Sequence, residues 1–402
     1  MATMSAEKAL LEPPLLDIDP YSDEVLADPY PFQEILRETA PVVRLGQYGV
    51  YAVGRHAEAT TVFADVERFS SAGGIGIQDI RKPGLFRVPS RILEVDPPDH
   101  TRVRSVMNKL LSPVVLRQWR EMFSERSSVL VERLLDMGEF DGVADAAEAY
   151  VFEVFAEAVG VQMPLEATLA IGLMRFNQSG PPNKRYHDAM AIAEPYVSWF
   201  ESSCEREAMI AGGLGEKVFE AEERGDLEPG IASNIVRSLI GGGTDSTISG
   251  IGATLLYLAG DPAQFEIVKA NPRKINAAFE EGIRLNSPFQ IVYRTTREET
   301  ELSGYRLDAD AKIAIFPGAA NRDPRRWEEP DRMDVNRRTI GQLAFGSGIH
   351  LCLGQMIARL EAECLIGALT KAASSLELAG EPRFRLINQL RTLDTLPLRA
   401  RR

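Results

Sequence analysis

From about residue 98 to residue 280, apolar side chains recur at spacings of three and four, with only short interruptions. That period places one stripe of each helix toward a common core. A chain patterned this way over so long a stretch is constrained to a mainly α fold. Breaks at Ser112-Pro113, Gly138, Gly180-Pro181-Pro182-Asn183, Gly212-Gly213 and Glu228-Pro229-Gly230 divide the run into separate helices. A long helix is predicted over 230–259 and a final one over 353–374. The β signal is small and comes from both ends. Residues 42–55 read as a hairpin, and 290–316 as short strands with turns. Residues 1–20 read as an extended, proline-punctuated arm, and 21–402 as a single helical domain with this small β-rich region.

An apolar content of 45% in 402 residues is enough to enclose a large core with room for an internal ligand. A net charge of −13 argues against general nucleic-acid binding. No apolar run approaches the about 20 residues a membrane helix needs. The first 20 residues have no basic segment leading into an apolar one, so a cytoplasmic monomer is expected. One acidic-poor stretch stands out. The Gly- and Pro-rich segment 71–92 reads as a long loop, and it carries Arg81, Lys82, Arg87 and Arg91 with no acid between them.

Three cysteines and four histidines leave no ligand set for a zinc ribbon, a four-cysteine iron–sulfur cluster or a multi-histidine site. Cys204 and Cys364 fall inside helical patterns and read as inert core residues. Cys352 is different. It lies in the run Phe345-Gly346-Ser347-Gly348-Ile349-His350-Leu351-Cys352-Leu353-Gly354, where glycines let the backbone approach a flat ligand. It also immediately precedes a predicted helix, whose first N–H groups favour a thiolate. A thiolate is a strong, electron-donating iron ligand. A lone cysteine in a glycine turn is more often structural; the surrounding motifs decide otherwise.

The run F-G-S-G-I-H-L-C-L-G resembles the haem-binding loop of the cytochromes P450, and further segments of that family's pattern follow in order from about residue 20 to 400. Glu281-Gly282-Ile283-Arg284 resembles the family's E-x-x-R helix, whose i, i+3 spacing permits an ion pair. The resemblance adds Arg332 as the third, structural member of that network. Asp96-Pro97-Pro98-Asp99-His100-Thr101-Arg102-Val103-Arg104 resembles the start of the haem-facing helix. The resemblance implies that His100, Arg104, Arg294 and His350 hold the haem propionates, with Phe345 and Gly346 against the ring and Cys352 as axial ligand to the iron of haem b. Gly241-Gly242-Gly243 lies inside the predicted 230–259 helix, where each glycine costs about 1 kcal/mol relative to alanine. Such a run points to a close approach or a kink. In the family it is the dioxygen groove, followed by an acid–alcohol pair, here Asp245-Ser246, which would relay protons. The usual alcohol is threonine. Serine keeps the hydroxyl and could bond back to the carbonyl of Gly242.

Within the soluble bacterial members, several segments resemble those that oxidise para-substituted benzoates. The likeness implies a substrate carboxylate held by Arg87, Ser90 and Ser238, with Phe176, Ser179, Gly242, Phe289 and Val292 around the ring. Ser179 replaces a large aromatic there, and Gly241 a small polar residue. The implied activity is a monooxygenase that O-demethylates or hydroxylates the para group. It would use O2 and electrons from NAD(P)H passed through a reductase and a [2Fe-2S] or similar ferredoxin. Lys109, Arg117 and Arg120 are candidate ferredoxin contacts, although a solvated helix face is the better explanation of all three. Two alternatives stay open at this point: oxidation of a neutral lipid, terpenoid or polyketide, and a haem-thiolate protein without turnover.

Overall fold

The computed structural model describes residues 10–83 and 88–402. The helices that build the site are α1 (Asp99–Leu110), α2 (Pro113–Met137), α3 (Leu165–Gln178), α4 (Ile231–Gly243), α5 (Asp245–Gly260), α6 (Ile275–Asn286) and α7 (Gln355–Ala372). The predicted punctuation is where helices stop and start. Gly138 takes a positive φ of 73° at the end of α2, and Gly230 one of 84° at the start of α4. After Gly180-Pro181-Pro182, the side chain of Asn183 accepts from the Tyr186 N–H at 3.1 Å and caps the helix Lys184–Ala193. The predicted 230–259 helix is in fact two helices. Thr244, with φ −89° and ψ −68°, separates α4 from α5.

One six-stranded sheet is assembled from both ends of the chain, as expected. Its strands are β1 (Leu15–Leu16), β2 (Val43–Leu45), β3 (Val50–Val53), β4 (Phe69–Ser70), β5 (Val292–Thr296) and β6 (Lys312–Ile315), in the order β1-β2-β3-β6-β5-β4. Strand β3 runs parallel to β6, pairing Tyr51 with Ile313 and Val53 with Ile315. Both faces are covered. Val50, Ala52 and Ala314 pack on one side, and Tyr51, Val53, Ile313 and Ile315 on the other. The N-terminal arm is tied to this sheet, because β1 pairs in parallel with β2. The largest core lies among the helices, where α2, α5, α6 and α7 contribute. Among the described residues no helix is long and apolar enough to cross a membrane.

The coil before the Cys352 loop is fixed by a buried ion network on α6. Glu281 and Arg284 are both 0% exposed, and two hydrogen bonds of 2.7 and 2.9 Å join them. The expected third member, Arg332, is not in it. Its side chain is exposed and pairs with Glu329 at 3.1 Å, while only its carbonyl faces the network. Arg337 takes the place instead, donating Nε to Glu281 at 2.9 Å. Glu329 adopts a positive φ of 43° and its carbonyl accepts from the Arg332 N–H at 3.1 Å, a turn in which the two side chains pair with each other at the surface.

Candidate active site

Cys352 is held by a backbone lasso. Its N–H donates to the carbonyl of Phe345 at 2.9 Å. The loop closes through Gly346 (φ 73°) and Gly348 (φ 72°), conformations that cost a glycine little. A Cβ on Gly348 would sit 2.9 Å from the Phe63 carbonyl, whereas one on Gly346 would meet nothing nearer than 4.0 Å. So Gly348 allows close packing and Gly346 leaves an open face. Burial pushes the Cys352 thiol up, opposed by the N–H groups of Gly354 and Gln355 and the charges of Arg104 and Arg359. Those two N–H groups open the turn into α7, the anion-favouring environment predicted for a thiolate.

Four cationic or imidazole groups converge beside the loop. The His100 and His350 rings stand 4.3 Å apart. His100 Nε2, both ring nitrogens of His350 and Arg294 Nε are buried with no hydrogen-bond partner. Burial, with Arg294, His100 and Arg104 nearby, pushes His350 down to about 3. Burial likewise lowers Arg294 to about 10 and also lowers Arg104. The nearest acid, Asp96, is occupied by Ser70, the Ser71 N–H and Arg297. Buried donors without acceptors are costly, so this cluster fits a ligand that brings its own anions. Two propionates of a haem have that chemistry. Among the described residues no group of three or more His, Cys, Asp or Glu could hold a bare metal ion. One thiol, the open Gly346 face and these cations therefore fit a metal that arrives in a macrocycle.

At the α4–α5 break, two of the three glycines make room for a neighbour and the third faces open space. A Cβ on Gly241 would strike Arg175, and one on Gly243 would lie 2.9 Å from Cε2 of Phe155, but one on Gly242 would meet nothing within 4 Å. Gly242 is thus the open notch. Ser246 Oγ donates to its carbonyl at 2.9 Å, as predicted, and Thr247 Oγ1 does the same to Gly243. The Asp245 carboxyl accepts from Thr244 Oγ1 at 3.1 Å, and burial pushes it up to about 6.

A cavity of about 220 Å³ opens on this notch. It has room for one substituted ring, since an apolar cavity of about 150 Å³ accepts benzene. Six residues named from the sequence line it: Ser90, Phe176, Ser179, Ser238, Gly242 and Phe289. Ser90 Oγ and Ser238 Oγ are hydrogen-bonded at 2.9 Å. Asn234 fixes both segments, donating to the Pro89 carbonyl at 2.9 Å and accepting from the Arg91 N–H at 2.7 Å. Phe176 and Phe289 meet edge to face at 5.5 Å. Arg87 lies outside the described residues. Val292 is not part of this wall; it starts β5 and packs on the sheet side with Ile315 and its neighbours. In the cationic loop, Arg81 is paired with Asp79 and Asp310, so it does not add a free charge to the cavity. Arg120 is held by Glu363, while Lys109 and Arg117 are exposed. Asn234, Arg175, Arg237 and Arg337 were not singled out from the sequence. Only Asn234, one turn before Ser238, carried a local signal.

The family profile described as Cytochrome P450 matches residues 273–372. The chain is 41% identical to Cytochrome p450 CYP199A2 of Rhodopseudomonas palustris over 387 residues, which cover 96% of this chain and 94% of that one. It is 28% identical to Putative cytochrome P450 YjiB of Bacillus subtilis, covering 87% and 88%. The solved structure of CYP109Q5 from Chondromyces apiculatus superposes with a TM-score of 0.82 at 28% identity, covering 96% and 98%. Likeness of this extent in both sequence and fold decides the lineage: the chain belongs to the cytochrome P450 family, and it is a haem-dependent monooxygenase.

Proposed function

We propose that this monooxygenase binds an aromatic carboxylic acid and oxidises its para substituent, by O-demethylation of an alkoxy group or hydroxylation of an alkyl one. The observation that carries the reading is the paired hydroxyls of Ser90 and Ser238, 2.9 Å apart on the wall of a cavity that Phe176 and Phe289 also line. Ser238 Oγ donates to the Asn234 carbonyl at 3.0 Å, so both hydroxyls turn toward one carboxylate when that bond is exchanged for one to the ligand. Arg87, three residues before Ser90, would add a charge-assisted bond. Gly242 lies four residues beyond Ser238 on the same helix, about 6 Å along its axis, so a ring anchored at the serines extends toward the notch.

In this reading the Cys352 thiolate would bind the iron of haem b, and His100, Arg104, Arg294 and His350 would hold its propionates. The haem, when bound, supplies dioxygen binding and its reductive activation. Asp245, its carboxyl pushed up to about 6, can take up and release a proton close to neutrality, and Ser246, opening the helix at Gly242, would pass it toward the notch. Electrons would come from NAD(P)H through a reductase and a [2Fe-2S] or similar ferredoxin meeting the Cys352 face, with Lys109 and Arg117 as its available cations.

The experiment is an optical titration of the haem-loaded protein with para-substituted benzoates, followed by product identification. A spectral change at low concentration, weakened by Ser238→Ala and by Arg87→Ala, is the expected result. Unchanged benzoate binding in both variants, or tighter binding of a neutral terpenoid, would overturn the reading.

A further inference from the structure

The missing side chain at Gly241 leaves a space that Arg175 occupies. A Cβ there would lie 2.5 Å from Cδ and 2.6 Å from Cζ of Arg175, distances at which one of the two must move. Arg175 comes from α3, crosses the backbone of α4 at this point and lines the cavity. Its guanidinium lies 5.8 Å from the Phe200 ring centre, and that of Arg237 lies 5.0 Å from the same ring. Contact with one ring restricts both cations. The polar character of this wall continues along the chain: Gln178 and Ser179 follow Arg175 and also line the cavity.

The position along α4 matters. Gly241 is three residues beyond Ser238, about 4.5 Å along the axis, and one residue before Gly242. A ring running from the serine pair to the notch therefore presents its edge, not either end, to Arg175. An arginine offers a planar fork of N–H donors, suited to an oxygen lying in the plane of the ring. The substrate carboxylate is already assigned to the serine pair, so the group proposed for the edge is a neutral oxygen.

We propose that Arg175, admitted by Gly241, reads an oxygen on the ring edge, so that the preferred substrates are para-substituted aromatic acids that also carry a meta hydroxyl or methoxy group. This rests on the aromatic-acid reading above and narrows it. The test compares 4-methoxybenzoate with 3-hydroxy-4-methoxybenzoate by optical titration and calorimetry on the haem-loaded protein. Wild-type protein is expected to bind the hydroxylated acid about tenfold more tightly, the usual worth of a hydrogen bond to a charged group. Arg175→Leu should bring the two acids to within about twofold. Gly241→Ala should do the same by displacing Arg175 while leaving it in the chain, and it serves where Arg175→Leu folds poorly. Equal affinities in the wild type, or a preference that survives both variants, would overturn the proposal while leaving the aromatic-acid reading intact. If neither acid binds, both fall.

Discussion

The hydroxyl of Ser246 donates to the carbonyl of Gly242 at 2.9 Å, across the break where Thr244 divides α4 from α5. That carbonyl would otherwise take the next helical N–H, so the side chain sustains the opening. Serine lacks the β-methyl that restricts threonine to few rotamers, so the hydroxyl is less firmly held. Ser246→Thr is expected to raise the fraction of NAD(P)H electrons recovered in product. Ser246→Ala should lower product formation by at least about tenfold while NAD(P)H consumption continues. The measurement is product formed per NAD(P)H consumed, and the reverse ranking would refute the assigned role.

Asp245 lies against Gly172 of α3, where a Cβ would be 2.6 Å from its Oδ1. Burial lifts its carboxyl from 3.8 to about 6; the Thr244 hydroxyl and the charge of Arg385 oppose that rise, and Glu148 adds to it. The carboxyl is therefore protonated below pH 6 and increasingly charged above it. If it hands on protons, product formation at saturating substrate should fall as pH rises through about 6. Asp245→Asn should remove that limb and reduce the rate by about 100-fold. The sign for stability is the same: the native state binds this proton more tightly than the unfolded chain, so its contribution declines between pH 3.8 and about 6. A pH–rate profile unchanged in Asp245→Asn would exclude the relay.

Arg337, and not Arg332, should matter to stability. Glu281 is fully buried between Arg284 and Arg337. Arg284 still neutralises Glu281 when Arg337 is removed, so what is lost is one charged hydrogen bond to a buried acceptor, at a cost of about 1.5–3 kcal/mol. Arg337→Ala should show that loss in denaturant unfolding. Arg332→Ala, at an exposed pair, should stay within about 0.5 kcal/mol.

What the amino-acid order disclosed divides along a physical line. The Cys352 loop, the Glu281–Arg284 pair and the Ser246–Gly242 bond are local, written in the spacing of residues a few positions apart, and each is present. The helix boundaries followed their Gly, Pro and Asn punctuation for the same reason. Contacts across the fold were not legible. Arg337 lies 56 residues from Glu281, with no fixed spacing to mark it. The Gly241–Arg175 and Gly172–Asp245 contacts pair a glycine on one helix with a side chain on another. A glycine in a sequence does not say whose atoms fill its space. Val292 was drawn to the cavity wall by its likeness to a pattern, but its strand pairing with Ile315 turns it to the sheet side.

Glu361 tests the packing of α7 itself. Both of its carboxyl oxygens are buried without a partner, and the residue is 0% exposed. Burial raises its pKa well above the ordinary 4.5, because ionising a carboxyl in an apolar site forfeits its hydration. The native state therefore keeps this proton while the unfolded chain releases it. Stability is undiminished below about pH 4.5 and is lost progressively as pH rises above that value. Glu361→Gln is neutral at every pH and similar in shape, so it escapes this cost. The expected result is melting temperatures close to wild type near pH 4.5 and a variant that grows more stable than wild type toward pH 9. Each kcal/mol of difference would appear as at most about 2 °C in a chain of this length, since the shift falls with size from about 2–4 °C in a domain of roughly 150–250 residues. Thermal unfolding followed by circular dichroism across that range measures it. A constant difference at all pH values would mean that the Glu361 carboxyl is not held neutral in the core.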